Sequence, residues 1–92
     1  MMEKQFKITA TEGLHARPCT LLVQAVTPFS SDVQLTFNGR SVNMKSIMGV
    51  MSLGIPSGST ITIASEGEDA ENLLAKVSTV IKAEGIGVEC LS

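Results

Sequence analysis

The chain has 92 residues, of which Leu, Ile, Val and Phe supply 26, about 28%, so it holds one small folded domain with no room for a second. A net charge of −2, with three Phe and neither Trp nor Tyr, argues against bulk capture of nucleic acid and leaves few rings for base stacking. No apolar run reaches the roughly 20 residues of a membrane span, the first residues lack a signal-peptide h-region, and Cys19 and Cys90 fit no metal or redox spacing. These features point to a chain of the reducing cytoplasm, not inserted in a membrane, with no metal and no cofactor. At this size a carrier, binding or regulatory role stands ahead of a self-contained enzyme.

Phe6, Ile8 and Ala10 alternate with Lys7 and Thr9, which predicts a half-buried strand. Gly13 breaks the chain before Leu14-His15-Ala16-Arg17-Pro18, and Leu21, Leu22, Ala25, Val26 and Phe29 then recur at helical spacing. The helix is predicted over roughly residues 16–27, with Pro18 in its first turn and Pro28 at its stop. Val33, Leu35 and Phe37 alternate again, Asn38-Gly39 signals a tight hairpin, and Val42 and Met44 lie on the returning strand.

Ser46 is a good N-cap for a short helix through Leu53 that Gly54 ends. Pro56-Ser57-Gly58 is a turn, and Ile61 and Ile63 alternate with Thr60 and Thr62 as a fourth strand. Glu68 or Asp69 caps a last helix whose Ala70, Leu73, Leu74, Val77 and Ile81 form one stripe, and Gly85 ends it. The order βαββαβα makes an α+β fold, a two-layer open-faced sandwich with helices on one face of a four-stranded antiparallel sheet. Residues 1–86 form the domain, and 87–92 read as a tail docked in part through Val88 and Leu91.

Charge is unevenly spread. Lys4, Lys7, Arg17, Arg40 and Lys45 against Glu3, Glu12 and Asp32 leave residues 1–46 at net +2. Lys76 and Lys82 against Glu66, Glu68, Asp69, Glu71, Glu84 and Glu89 leave residues 47–92 at net −4. This is either ordinary surface variation or a basic side that faces a partner.

His15 is the only histidine, the side-chain type that exchanges protons near neutrality. It stands just before a helix whose first N–H groups, those of Ala16 and Arg17, lack helical partners and make an anion site. The helix dipole works against imidazolium and favours a nucleophilic ring. Arg17 adds a permanent cation whose fork suits phosphate. The alternative is a surface histidine that merely caps the helix. Ser46 carries a similar pair of readings, as a plain N-cap or as a serine whose phosphate would sit at a helix N-terminus.

The short helix has Ile47, Met48, Val50, Met51 and Leu53 around most of its circumference. It can bury one stripe, so some of Ile47, Met48 and Met51 should face solvent and want a partner, unless each fills the core. No carboxylate stands directly beside His15, and no phosphate loop or Ser-His-Asp spacing is present. Cys19 is either a low-pKa thiol near a helix start or a small core residue, the second being favoured.

The segments Gly13-Leu14-His15-Ala16-Arg17-Pro18 and Lys45-Ser46-Ile47-Met48-Gly49-Val50-Met51-Ser52-Leu53-Gly54 together resemble HPr, the histidine-containing phosphocarrier family of the bacterial sugar phosphotransferase system. The resemblance covers about residues 3–85, and the second segment is similar to the form of low-GC Gram-positive bacteria. It implies the HPr-like open-faced sandwich and a carrier rather than an enzyme. It implies that His15 takes a phosphoryl group from phosphoenolpyruvate through enzyme I and gives it to enzyme II A domains, with Arg17 contacting that group.

On the same resemblance Ser46 is phosphorylated by HPr kinase/phosphorylase, after which the family binds the catabolite control protein, a transcription regulator. Ala16, Thr20, Ile47, Met48 and Met51 fall on the family's docking surface, and a monomer is expected. The departures are Cys19 for the usual Ala, Pro28 where related sequences often have Lys, and a longer tail. Two other readings compete. A purely regulatory paralogue acting through phosphorylated Ser46 would lack a histidine at the active position, and His15 argues against it. A small nucleic-acid module is disfavoured by the acidic balance and the missing aromatic platform, so no direct contact with nucleic acid is expected.

Overall fold

The computed structural model describes residues 1–91. In chain order the elements are β1 (Met2–Ile8), α1 (Ala16–Val26), β2 (Asp32–Phe37), β3 (Arg40–Asn43), α2 (Ile47–Met51), β4 (Thr60–Glu66), α3 (Ala70–Ala83) and β5 (Gly87–Glu89). The strands form one antiparallel sheet in the order β3-β2-β4-β1-β5. Alternation sets the register. Phe6 lies opposite Ile61 and Leu35 opposite Ile63, so one face of β1, β2 and β4 presents Phe6, Ile8, Val33, Leu35, Ile61 and Ile63, all buried.

That face is covered by α1 through Cys19, Leu22 and Val26 and by α3 through Leu73, Leu74, Val77 and Ile81. Each fully buried large side chain contributes about 1.5–3 kcal/mol, and the opposite face keeps Gln5, Lys7, Gln34 and Thr60 in solvent. Asn38 and Gly39 both take positive φ, +51° and +78°, as the two-residue turn between β2 and β3 requires. Among the described residues no helix is long and apolar enough to cross a membrane, and no group of three or more His, Cys, Asp and Glu could hold a metal ion.

The α+β sandwich is as expected, but the sheet has five strands rather than four. Residues 87–89, expected as tail, pair with Ile8, Lys7 and Phe6 as an edge strand, while Ser92 lies outside the described residues. Nor do Val88 and Leu91 dock it, being 54% and 88% exposed. Ile86, which is buried, and the backbone do. The short helix also ends two residues early, at Met51, because the N–H groups of Leu53 and Gly54 turn back to Val50 and Met51 in a tighter i→i+3 pattern.

Asp69 occupies the N-cap of α3, yet its carboxylate does not cap that helix. It reaches across to the loop before β2, accepting from the N–H groups of Ser30 (3.0 Å) and Ser31 (2.9 Å) and from both hydroxyls. Ser31 Oγ in turn accepts from Asp69 N–H at 3.1 Å. Donation by the Ser31 hydroxyl, then by the Ser30 N–H, holds the Asp69 carboxyl down at about 2. A carboxyl lowered by folding adds stability that is whole above the ordinary carboxylate range and is lost as pH falls from about 4 toward 2. Thermal melts should therefore fall along that acid arm in the wild type, and Asp69→Ala should lower the melting temperature at pH 7 and flatten the arm.

Candidate functional site

His15 occupies the N-cap of α1 with extended backbone (φ −78°, ψ −170°), and its side chain makes no capping bond. The capping role weighed from sequence is thus not what this imidazole does. Its carbonyl accepts from Cys19 N–H, while the N–H groups of Ala16 and Arg17 have no partner within the helix and Pro18 has none to offer. The ring stands at a helix mouth with its side chain 44% exposed, so an incoming anion meets both nitrogen and N–H donors.

The approach to His15 is set by Gly13. Its φ of +69° lies in the left-handed region, and a Cβ there would collide with the Ile55 carbonyl and sit 2.9 Å from Pro56 backbone atoms. This close passage lets Leu14 donate to the Ile55 carbonyl at 2.9 Å and bury its side chain, which leaves the next residue facing out. The turn also returns Glu12 toward the ring. Glu12 Oε2 stands 4.0 Å from His15 Nε2, too long for a hydrogen bond but within ion-pair reach of a protonated ring. Glu12 does not adjoin His15 in sequence, so proximity along the chain does not mark it. The signal available was an acid three residues back across a glycine turn.

Arg17 is paired across the fold, with Nη2 3.3 Å from Glu84 Oε1 at the C-cap of α3. Glu84 lies 67 positions along the chain, and no local pattern announces it. Two lysines of the first half also have partners: Lys4 Nζ lies 3.6 Å from Glu89 Oε1 of the acidic half, and Lys45 Nζ donates to the Phe29 carbonyl at 2.7 Å, a bond that keeps its charge.

Cys19 is fully buried, its thiol donating to the Leu14 carbonyl at 3.2 Å, and burial pushes that thiol up. Burial and the raised thiol both favour the small core residue over a low-pKa thiol, as the core reading anticipates. Thr20 Oγ1 donates back to the Ala16 carbonyl at 2.9 Å, beside the exposed Ala16.

Ser46 is the N-cap of α2, its Oγ accepting from Gly49 N–H at 3.0 Å. The absent side chain of Gly49 keeps this hydroxyl uncovered, because a Cβ would come within 3.2 Å of Oγ. Of the helix it caps, only Val50 is buried, and Ile47, Met48 and Met51 are 39%, 82% and 44% exposed. The expected division of this helix into one buried stripe and an open apolar face is what the structure has. α2 packs on α1, so this open apolar face is carried by a helix that neighbours the one beginning at His15.

Residues 2–83 match the family model described as "PTS HPr component phosphorylation site". The histidine-containing phosphocarrier protein of Mycoplasma superimposes with a TM-score of 0.91 at 32% identity, over 94% of this chain and 98% of that one. The phosphocarrier protein HPr of Bacillus anthracis gives a TM-score of 0.79 at 43% identity, over 86% and 94%. Crh, the Bacillus subtilis catabolite repression protein, was solved as a swapped dimer and gives 0.70 at 39% identity, over 91% and 97%. A match across nearly the whole chain, on the sandwich and the histidine-bearing helix just described, places the chain in the HPr family of phosphocarrier proteins, which are carriers and not enzymes.

Proposed function

We propose that this chain is an energy-coupling phosphocarrier of the sugar phosphotransferase system, acting as a monomer in the cytoplasm, and that His15 carries the phosphoryl group. The observation that carries this reading is an imidazole at the open mouth of α1 that spends no side-chain bond on capping it. In the forward step a ring nitrogen of His15 supplies the electron pair for a new N–P bond. The bond from phosphorus to phospho-enzyme I breaks, and its electron pair stays on enzyme I. Transfer to an enzyme II A domain repeats this with His15 as leaving group. The N–H groups of Ala16 and Arg17 receive the phosphoryl oxygens, and the guanidinium of Arg17 leaves Glu84 to join them.

Ala16, Thr20, Ile47, Met48 and Met51 form the surface on which enzyme I and enzyme II A domains dock. Ser46 is the regulatory site, phosphorylated by HPr kinase/phosphorylase for carbon catabolite repression and then recognised by the catabolite control protein. The likeness to Crh supports a regulatory role beside the carrier role, while His15 favours the carrier over a purely regulatory paralogue.

The test is the mass of the protein after incubation with phosphoenolpyruvate, Mg²⁺ and enzyme I. One acid-labile phosphoryl adduct is expected, and an unmodified mass would refute the carrier role. Arg17 gives a separate expectation. An exposed ion pair such as Arg17–Glu84 is worth about 0–1 kcal/mol, and a cation in a first helical turn opposes the dipole. Arg17→Ala should therefore slow transfer to and from His15 with little change in melting temperature, and equal rates would remove Arg17 from the site.

A further inference from the structure

Helix α3 ends in a Schellman turn. Gly85 takes φ +66°, its N–H donates to the Lys82 carbonyl at 3.3 Å, and Ile86 N–H donates to the Ile81 carbonyl at 2.9 Å. The turn buries the Ile86 side chain and aims its carbonyl at the end of β1. There one oxygen accepts two successive donors, Thr9 N–H at 3.0 Å and Ala10 N–H at 3.1 Å. Ala10 opens the turn, closed by Gly13 N–H at 2.9 Å, that carries Glu12 and leads through Leu14 to His15. The loop in front of His15 thus hangs between two carbonyls, Ile86 on one side and Ile55 on the other.

What keeps the Ile86 oxygen in place is β5. Gly87 lies so close to β1 that a Cβ would collide with the Lys7 carbonyl, and Cys90 N–H donates to the Gln5 carbonyl at 2.8 Å. Glu89 accepts from the Ser78 hydroxyl at 3.2 Å, and the same hydroxyl takes a bond from Lys4 Nζ, also 3.2 Å, which ties β1, α3 and β5 at one point. Just before the turn, Glu84 holds Arg17. Residues 84–90 therefore touch the site twice, by backbone on the loop before His15 and by carboxylate on Arg17.

We propose that β5 and the Ile86 carbonyl form a positioning device for His15: seating of this strand fixes the loop that presents the ring and thereby sets the rate of phosphoryl transfer, not partner affinity. This rests on the carrier reading. Affinity is spared because Ile47, Met48 and Met51 of the docking surface sit on α2, which packs on α1 and β3, while Ala16 and Thr20 are held within α1 itself.

The test uses the full chain with enzyme I and phosphoenolpyruvate, measuring kcat and KM for phosphorylation, amide exchange at Thr9 and Ala10, and the ring NMR shifts of the single histidine. Gly87→Val forces β5 off Lys7. The pair Glu89→Gln with Cys90→Pro loosens the same strand from half-exposed positions and decides the matter if Gly87→Val does not fold. Val88→Thr, at an exposed position, is the control. Faster exchange at Thr9 and Ala10, shifted His15 resonances, and a kcat lowered about tenfold for Gly87→Val with KM little changed are expected. The double variant should move the same way by less, and the control not at all. Unchanged kcat despite faster exchange, unchanged exchange in every folded variant, or a rise in KM alone would each overturn the proposal. A wild-type chain that accepts no phosphoryl group would instead overturn the carrier reading beneath it.

Discussion

His15→Ala should abolish acceptance of a phosphoryl group from enzyme I while leaving stability within about 0.5 kcal/mol of wild type. The two halves of this expectation have separate grounds. His15 is the only histidine, so no second ring can substitute for it as nucleophile and leaving group. Its side chain is partly exposed and makes no capping bond, so truncation removes neither a helix cap nor a core contact. The variant should melt with wild type and show no mass increase after the enzyme I reaction. Retained phosphorylation would move the site elsewhere, and early melting would show that the ring is structural.

Ser46→Asp should slow phosphorylation of His15 by about five- to tenfold at low ionic strength, a loss of about 1 kcal/mol in partner docking. The backbone tolerates the change, because an N-cap carboxylate can accept from Gly49 N–H as the serine hydroxyl does, and an acid at a helix start suits the dipole. What changes is the charge beside Ile47, Met48 and Met51, where a partner approaches. Phosphate adds about −1.5 to −2 charges, and screening in physiological salt reaches only ~8 Å, so the disturbance stays local. Asp carries less charge and fewer acceptor oxygens, so its effect should be partial, and it should shrink as salt rises. Equal rates at low salt would refute coupling between the two positions. A slow variant that also melts early would mean damage to α2 rather than charge.

Much of the fold is legible in the amino-acid sequence. The strands β1, β2 and β4 are half-buried, and half-burial imprints alternation directly on the sequence. Asn38-Gly39, Pro18 and Gly85 act through backbone conformations that few other residues allow, so their places are chemically marked. The places of His15 and Ser46 at the starts of α1 and α2 are legible because helix starts carry a positional signal.

The misses share a cause. Strand β5 is three residues long and docks through its backbone, with a glycine at its closest approach, so no side-chain pattern reports it. Asp69 looked like a cap because its neighbours in sequence favour that reading, but its carboxylate is spent on Ser30 and Ser31, brought near only by the fold. Glu84 meets Arg17 for the same reason. Long-range partners of surface charges leave no periodicity to read.

The two cysteines give the molecule a built-in optical handle. Cys19 lies on the buried face of α1 with its sulfur on the Leu14 carbonyl, whereas Cys90 is partly open just after β5. A maleimide dye should therefore attach once to the folded protein, at Cys90 on the sheet edge. A chain without tryptophan or tyrosine thereby gains a fluorophore, carried just after β5 and bonded to neither His15 nor Ser46. The second thiol becomes labelled only when the core opens, so the rate at which a second dye is taken up measures the free energy of that opening under native conditions.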